Sequence, residues 1–427
     1  MKRLSLPVLG FVLLLALFSP RASAQDTLRL VTYNLLNYGG TTSFCDLDCK
    51  DENLDIVMTN IQPNIIVVNE MADNAIYGDR ILQNVLNTNG ETNWERAEYV
   101  NTTNSVTTNM LFYRRDLFTL YSQANVDASI RDIHVYTLFY NDPQLSQTND
   151  TLFFRVAAAH LKAGNTVSDQ NSREAMVNNL MGYLDDNPTP EFTLLAGDLN
   201  VYTSNEDAYQ TLTNDNTQPV QFEDPMNAPG NWNQNSSFSG LHTQSTRTNS
   251  ENDGGSGGGS DSRFDFILIT PDAVPNTSRF HYVNGSYTTY GQDGGHFNGD
   301  VTQTTAVSSF IAGALYDMSD HYPVFADFAL DVTPITSTAP LFSQAQNTRF
   351  YPNPQNGDLL NLAFPQEVAQ GTQLQVTDLS GRALANYPLS RERTQQINLS
   401  GLPKGLLLLN LRNAQGQVLH TQKLLRQ

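Results

Sequence analysis

The sequence predicts an α/β protein followed by a small all-β domain. Three observations carry this. Strand-like apolar runs alternate with helix-like periodicities over about 26–215, and several of those runs stop abruptly at a carboxylate, amide or imidazole. The last 80 or so residues break into short strands at regular spacing, with turn signals between them. The chain has 427 residues, enough for two or three domains, and its 39% of hydrophobic residues suffice for a buried core.

In chain order, Lys2 and Arg3 precede an apolar run at 6–18, and Ala22-Ser23-Ala24 offers an A-x-A cleavage site. This is the anatomy of a secretory signal peptide over 1–24, removed near Gln25. The alternative, a membrane anchor, needs ~20 apolar residues, more than the run supplies. No later segment is apolar enough to span a bilayer, so the mature chain is expected to be a monomer without stable membrane insertion, secreted or attached to the cell surface. Only 16% of residues are charged, while Asn, Thr, Gln and Ser abound, which suits an extracellular surface. With +3 on residues 1–24 and +4 on 345–427 out of a net −19, the remainder carries −26. A general nucleic-acid-binding module uses Lys and Arg to neutralise phosphates. Here a divalent metal and a few local basic groups must do so if the substrate is a phosphodiester.

TLRLVTYNLL at 27–36 reads as a buried strand, NLDIVMTNIQ at 53–62 as one side of a helix, and NIIVVNEM at 64–71 as the next strand. LFFRVAAAHL at 152–161 and FTLLAGDLNV at 192–201 are further β-rich runs, with Met176, Leu180 and Tyr183 at helical spacing between them. Residues 216–262 are polar and Gly/Ser-rich, with GGSGGGS at 254–260, and read as a surface excursion with little order. SRFDFILIT at 262–270 restores strand character. A second polar insertion at about 284–313 holds His296, read as a loop residue with a substrate contact as the alternative. SDHYPVFADFAL at 319–330 closes the domain as a strand.

Cys45 and Cys49 are the two cysteines, and in an exported chain such a pair predicts a short disulfide loop. A zinc site lacks a nearby His or third Cys. A calcium loop built on Asp46, Asp48, Asp51 and Asn53 lacks the required Gly and terminal Glu, leaving a solvated acidic loop.

The chemistry is carried by the polar residues at the strand ends: Asn34, Glu70, His160, Asp198 with Asn200, Asp265, and Asp320 with His321. Each alone has an ordinary explanation as a cap or turn. Together they are harder to dismiss, since an apolar strand gains nothing from ending in an unpaired carboxylate. Hydrolysis of a phosphodiester needs a cation for the phosphoryl oxygens, an activated water and help for the leaving oxygen. Hard divalent ions take carboxylate oxygens, for which Glu70 and Asp320 are the natural candidates. A histidine serves as proton acceptor when a carboxylate fixes its tautomer, a pairing available to His321 and Asp265.

VTYNLLNYG, IIVVNEM, AAHLKAG, LLAGDLNVY, RFDFILI and SDHYPVFADF, in this order over about 26–331, resemble the successive motifs of the endonuclease/exonuclease/phosphatase superfamily. The resemblance implies a four-layer α/β/β/α sandwich of two packed mixed sheets for residues 25–333. It also implies a Mg²⁺-dependent site, with Mn²⁺ or Ca²⁺ as alternatives. Asn34, Glu70 and Asp320 would hold the metal. Asp198 would orient or activate water, Asn200 would hold the phosphate, and His321 with Asp265 would move a proton or stabilise the transition state. His160 would contact the scissile phosphate or protonate the leaving oxygen, and Lys162 would add a contact to substrate or lie at the surface. Asn69 stands where many relatives carry Gln.

After a Pro/Thr/Ser-rich linker at 334–347, residues 348–427 resemble the C-terminal sorting domain of type IX secretion cargo. The resemblance rests on FYPNP at 350–354, VTDLSGRAL at 376–384, INLSGLPKG at 397–405 and the terminal KLLRQ, and it implies the outer-membrane secretion machinery as partner. A carbohydrate-binding β-sandwich is the alternative, but only one aromatic, Tyr387, follows Phe364. Three functions follow for the whole chain: an extracellular endonuclease acting on DNA or RNA, a phosphodiesterase or phosphatase on a substrate such as sphingomyelin, or a non-catalytic adhesin. The Asn/Gly/Thr-rich insertions and the His160–Lys162 pair favour the nuclease.

Overall fold

Two parallel strand pairs, each joined by a long helix, set the architecture of the first unit. In the computed structural model the described residues are 26–330, except 41–43, 127, 143–150, 191 and 215–219, and 348–427, except 354, 356, 365–366, 379–381, 415 and 417. The expected signal peptide and linker lie outside the described residues. Strands β1 (Asp26–Tyr38) and β2 (Ile65–Ala72) run parallel, as do β7 (Phe153–His160) and β8 (Thr193–Asp198). A parallel pair needs a crossover, and here α1 (Leu47–Ile61) and α3 (Val167–Asp186) supply it. Thr166 and Asp169 close a capping box at the start of α3, while Asp46 caps α1 by accepting from the Cys49 N–H. The acidic 46–53 stretch is thus a helix start, beside a Cys45–Cys49 disulfide.

Antiparallel strands complete two mixed sheets. The first joins β1 and β2 to β3 (Trp94–Arg96), β4 (Thr107–Arg114), β10 (Phe280–Tyr282), β11 (Thr288–Thr289) and β12 (Val324–Leu330). The second has the order β5 (Phe118–Val126), β6 (Ile133–Tyr140), β7, β8, β9 (Asp265–Ile269). Strands β7, β8 and β9 are buried on both faces, and their period of two shows it. Phe154, Val156, Ala158, Leu194, Ala196 and Ile267 join the core shared with the first sheet. The alternate Ala157, Ala159, Leu195, Phe266 and Leu268 pack with Met176, Val177, Leu180 and Leu184 of α3. Ala208, Tyr209 and Leu212 of α4 (Asp207–Thr213) add to that layer. On the first sheet lie Leu54, Val57 and Met58 of α1 and Leu315 and Met318 of α5 (Ser309–Met318). The four layers are helix, sheet, sheet, helix. A short α2 (Ala75–Ile81) follows β2.

Residues 348–427 belong to a second unit. It packs a three-stranded sheet, β13 (Arg349–Tyr351), β14 (Leu359–Ala363) and β17 (Thr394–Asn398), with a four-stranded one, β15 (Gln373–Thr377), β16 (Ala383–Pro388), β18 (Gly405–Arg412) and β19 (Val418–Arg426). Alternate residues Leu360 and Leu362 on one sheet and Leu374, Val376, Leu407 and Leu409 on the other share a single core, giving an all-β sandwich. No helix among the described residues is long and apolar enough to cross a membrane.

One close approach fixes the distance between β7 and β8 beside their polar ends. Gly197 has φ +146°, and a Cβ there would stand 1.9 Å from the Ala159 carbonyl oxygen. Gly197→Ala is predicted to lower the unfolding free energy by about 2–4 kcal/mol, read from urea midpoints. A loss below about 0.5 kcal/mol contradicts the close approach.

Candidate active site

Three adjacent strands of the second sheet end in one row. His160 pairs with Asp198 across β7 and β8, and Asp198 pairs with Asp265 across β8 and β9. Two residues deeper, Ala158, Ala196 and Ile267 face the inter-sheet core. The period of two therefore puts His160, Asp198 and Asp265 on the same inward face, where the apolar core gives way. All three are at most 2% exposed.

The first sheet supplies the facing residues through a bulge. Asn34 of β1 stands opposite Asn69 of β2, after which the register shifts. Leu36, Asn37 and Glu70 adopt φ of 47°, 52° and 56°, a region uncommon for residues other than glycine. Such irregularities re-aim side chains at sheet ends, and here they turn Glu70 toward the row. Asn34 Nδ2 donates to Glu70 Oε1 and to Asp198 Oδ2, both at 3.1 Å, so one amide joins the two sheets. Its Oδ1 accepts from the Leu36 N–H at 3.0 Å. His160 Nε2 lies 3.5 Å from Asp198 Oδ2 and 3.8 Å from Glu70 Oε1. Asp198 Oδ1 accepts from the Asn200 N–H at 3.0 Å, and Asn200 Nδ2 reaches the Leu161 carbonyl at 3.3 Å. From the loop before β12, His321 Nδ1 bonds Asp265 Oδ2 at 2.7 Å, and its Nε2 lies 3.9 Å from Asp198 Oδ2.

The residues expected at the site are thus brought together, except Lys162. Its ammonium lies 2.9 Å from Asp169 Oδ1 on α3, in an ion pair open to solvent. His296 uses both ring nitrogens, on Asp293 Oδ1 at 2.8 Å and on the Tyr322 hydroxyl at 3.0 Å, and is a buried loop residue.

The Gly/Ser-rich segment departs from the expectation of low order. In its described part, 220–262, Trp232, His242, Thr243, Arg247 and Ser260 are buried, and a Cβ on Gly259 would stand 2.3 Å from the Asn298 carbonyl carbon. Glycine serves close backbone approach here, not flexibility. The same segment contributes two donors that motif reading missed. Asp320 Oδ2 accepts from Gln244 Nε2 at 3.0 Å and from the Ser256 N–H at 2.7 Å. Gln244 Nε2 also lies 2.8 Å from His321 Nε2. In that orientation the amide donates to both, which suits a neutral imidazole. With imidazolium, the half-turned amide accepts from Nε2–H but gives up its donation to Asp320, which keeps the Ser256 N–H.

Burial and charge set the protonation states. Burial pushes the His160 imidazole well below its usual range, and the charges of Arg131 and His321 add to this. Burial raises Asp198 to about 7, opposed by His321 and reinforced by Asp265 and Glu70. For His321, burial favours the neutral ring, but Asp265, Asp320 and Asp198 outweigh it and raise the imidazole well above its usual range. With three carboxylates facing the ring, the charged form is the one favoured in the metal-free protein.

The donor set fits a divalent cation. Asp320 Oδ1, Asp265 Oδ1 and His160 Nδ1 are buried without a hydrogen-bond partner among the described residues. Carboxylates dominate, as a hard ion prefers. The closest ligand atoms belong to Glu70, His160 and Asp198, within 4.8 Å of one another, whereas Asn34 as placed orients two of these carboxylates through its NH₂.

Residues 349–426 match the family model described as the secretion system C-terminal sorting domain, which assigns the chain to type IX secretion, to the cell surface or beyond. No curated protein matches the chain. Among solved structures it is similar to the human nocturnin catalytic domain with bound sulfate, at 13% identity, covering 71% of this chain and 97% of that one, TM-score 0.45. It is similar to an endonuclease/exonuclease/phosphatase from Bacteroides vulgatus at 14% identity, covering 72% and 100%, TM-score 0.46. It is also similar to D. rerio TDP2 complexed with single strand DNA product, at 11% identity, covering 71% and 99%, TM-score 0.44. At such identities the chemistry must come from the side chains themselves.

A cation competes with protons for its ligands. Because Asp198 is raised to about 7, a cation held there would compete with protons increasingly as pH falls below that value. Without metal the sign reverses: the raised pKa contributes stability at acid pH that is lost as pH rises through about 7. The gain in thermal midpoint on adding Mg²⁺ is therefore predicted to be larger at pH 8 than at pH 5.5. A gain independent of pH contradicts this assignment of Asp198.

Proposed function

We propose that this chain is a secreted, divalent-metal-dependent phosphodiesterase, and that its substrate is nucleic acid, cleaved internally. The observation that supports it most is the row His160–Asp198–Asp265, with Asn34 and Glu70 facing it and His321 bonded to Asp265 at 2.7 Å.

Glu70 and Asp320, with Asn34, would hold the metal, and the proximity of Asp198 and His160 to Glu70 brings them within reach of the same ion. The cation, when bound, offsets charge on the phosphoryl oxygens. Asp198 is the proton acceptor for the attacking water. Burial makes it more basic than an ordinary carboxylate in the metal-free protein, and a cation bound at Glu70 would lower its pKa and favour the ionised form that accepts the proton. The Asn200 N–H holds one of its oxygens and leaves the other toward Asn34 and His160. Asn200 itself is placed to hold the phosphate. His321, anchored through Nδ1 by Asp265, places a ring whose positive charge would offset the developing phosphoryl charge, its Nε2 near Asp198 and Asp320. Burial favours the neutral form of His160, which suits an N–H donor to the scissile phosphate or leaving oxygen.

The acidic composition supports catalysis by local cations over tight polymer binding. A polyanion on a chain of net −19 must be met locally, and Arg131, which donates to the Leu161 carbonyl at 3.0 Å, adds a positive group beside His160.

The test uses the full chain with closed circular plasmid, RNA and sphingomyelin, each with Mg²⁺, Mn²⁺, Ca²⁺ or EDTA. Nicking of plasmid that EDTA abolishes is the predicted result. Intact nucleic acid beside released phosphocholine transfers the protein to lipid substrates. Asp198→Ala and His321→Ala are each predicted to cost ~10²-fold or more in rate with unchanged circular dichroism. Retention of more than about a tenth of the rate by either contradicts its role.

A further inference from the structure

Lys50, on α1, is buried to 1% exposure and reaches away from solvent. Its ammonium donates to the carbonyls of Leu35 at 2.8 Å, Leu36 at 2.7 Å and Met318 at 2.8 Å. Leu35 and Leu36 follow Asn34 in the bulge of β1, and Met318 ends α5 just before Ser319, Asp320 and His321. The ammonium's three donors are thus divided between two segments about 280 residues apart in sequence, each carrying a residue of the site. Ser319 Oγ adds a second link across the same seam, donating to the Asn34 carbonyl at 2.7 Å.

The other crossover helix does the corresponding thing. Arg173 of α3 donates to the Lys162 and Gly164 carbonyls at 2.7 Å and to Glu206. It thereby ties the loop after His160 to the loop after Asp198. Arg173 has Glu206 as its counter-ion. Among the described residues Lys50 has only carbonyls as hydrogen-bond partners, and the charges of Asp253, Asp320 and Glu70 favour its ammonium without contacting it.

We propose that Lys50 is a positioning residue for the metal site: its ammonium clamps the Asn34 turn to the Asp320 turn and so sets the spacing at which their side chains meet a divalent cation. This rests on the metal-site reading above. It makes a prediction whose sign separates geometry from charge. A nearby positive charge repels a metal cation, so removing Lys50 only as a charge would tighten metal binding. Removing it as a clamp lets the two turns part and weakens metal binding. Partners that orient metal ligands from outside typically contribute 10–100-fold to affinity.

The experiment titrates Mn²⁺ into the full-length wild type and into Lys50→Met, reading free Mn²⁺ by electron paramagnetic resonance, with near-ultraviolet circular dichroism to verify the fold. The clamp predicts that the Mn²⁺ dissociation constant rises about tenfold or more in Lys50→Met at unchanged stoichiometry. Unchanged or tighter binding overturns it. If Lys50→Met does not fold, Lys50→Gln, which keeps two N–H donors without the charge, is read by the same criterion. If the wild type binds no Mn²⁺, the metal-site reading itself fails and the clamp falls with it, a result distinct from wild-type binding that Lys50 does not influence.

Discussion

The structure depends on carboxylates gathered where water is largely excluded. Asp198, Asp265 and Asp320 are each at most 3% exposed, and Glu70 opens the same cluster to solvent. Ionised carboxylates in a low-dielectric site repel one another and lose hydration, a cost that only hydrogen bonds, imidazolium or a metal cation offsets. Both imidazoles, the Asn34 amide, the Gln244 amide and the Asn37 N–H, which donates to Glu70 Oε2 at 3.2 Å, all converge on this one problem. The raised pKa of Asp198 records how incompletely the metal-free protein solves it.

The fold meets the constraint by carrying polar groups through its own core. Asn69, fully buried on β2, donates to Asn109 Oδ1 at 2.8 Å and to the Ala159 carbonyl at 3.1 Å, and its Oδ1 accepts from the Asp198 N–H at 3.1 Å. Asn109 continues to the Asp132 carbonyl at 3.0 Å and the Ala158 carbonyl at 3.3 Å. This chain of amides crosses from the first sheet to the second directly beneath the cluster. Fully satisfied buried polar networks specify geometry more sharply than apolar contacts do. Asn69 spans the gap between the sheets, using both ends of its amide. A centre built from both sheets needs its halves held at fixed spacing. The amides and the Asn34 bridge bond across that seam, and the buried cations of the two crossover helices bond segments within each half.

Much of this was legible in the sequence because strand ends are. An apolar run that stops at Asp198 or His160 announces both the strand and the polar environment at its end, and the helical spacing of Met176 and Leu180 identified the crossover between them. Three features were not legible. Gln244 and Ser256 lie in a segment whose Gly/Ser content has two physical meanings, flexibility and close backbone approach, and composition does not choose between them. Lys50 sits in an acidic stretch, and nothing in its neighbours shows that α1 turns it inward. Lys162 follows His160 by two residues, but only the position of Asp169 on α3 decides that its charge is already paired.

The central claim is that the convergent ends of β1, β2, β7, β8 and β9 form one cation-dependent hydrolytic centre. Anomalous diffraction from crystals soaked in Mn²⁺ tests it most directly. The account predicts a peak within bonding distance of Glu70, with Asp198, Asp320, Asn34 or His160 completing the ligands. No peak there at saturating Mn²⁺, or a sole peak elsewhere on the chain, would contradict it.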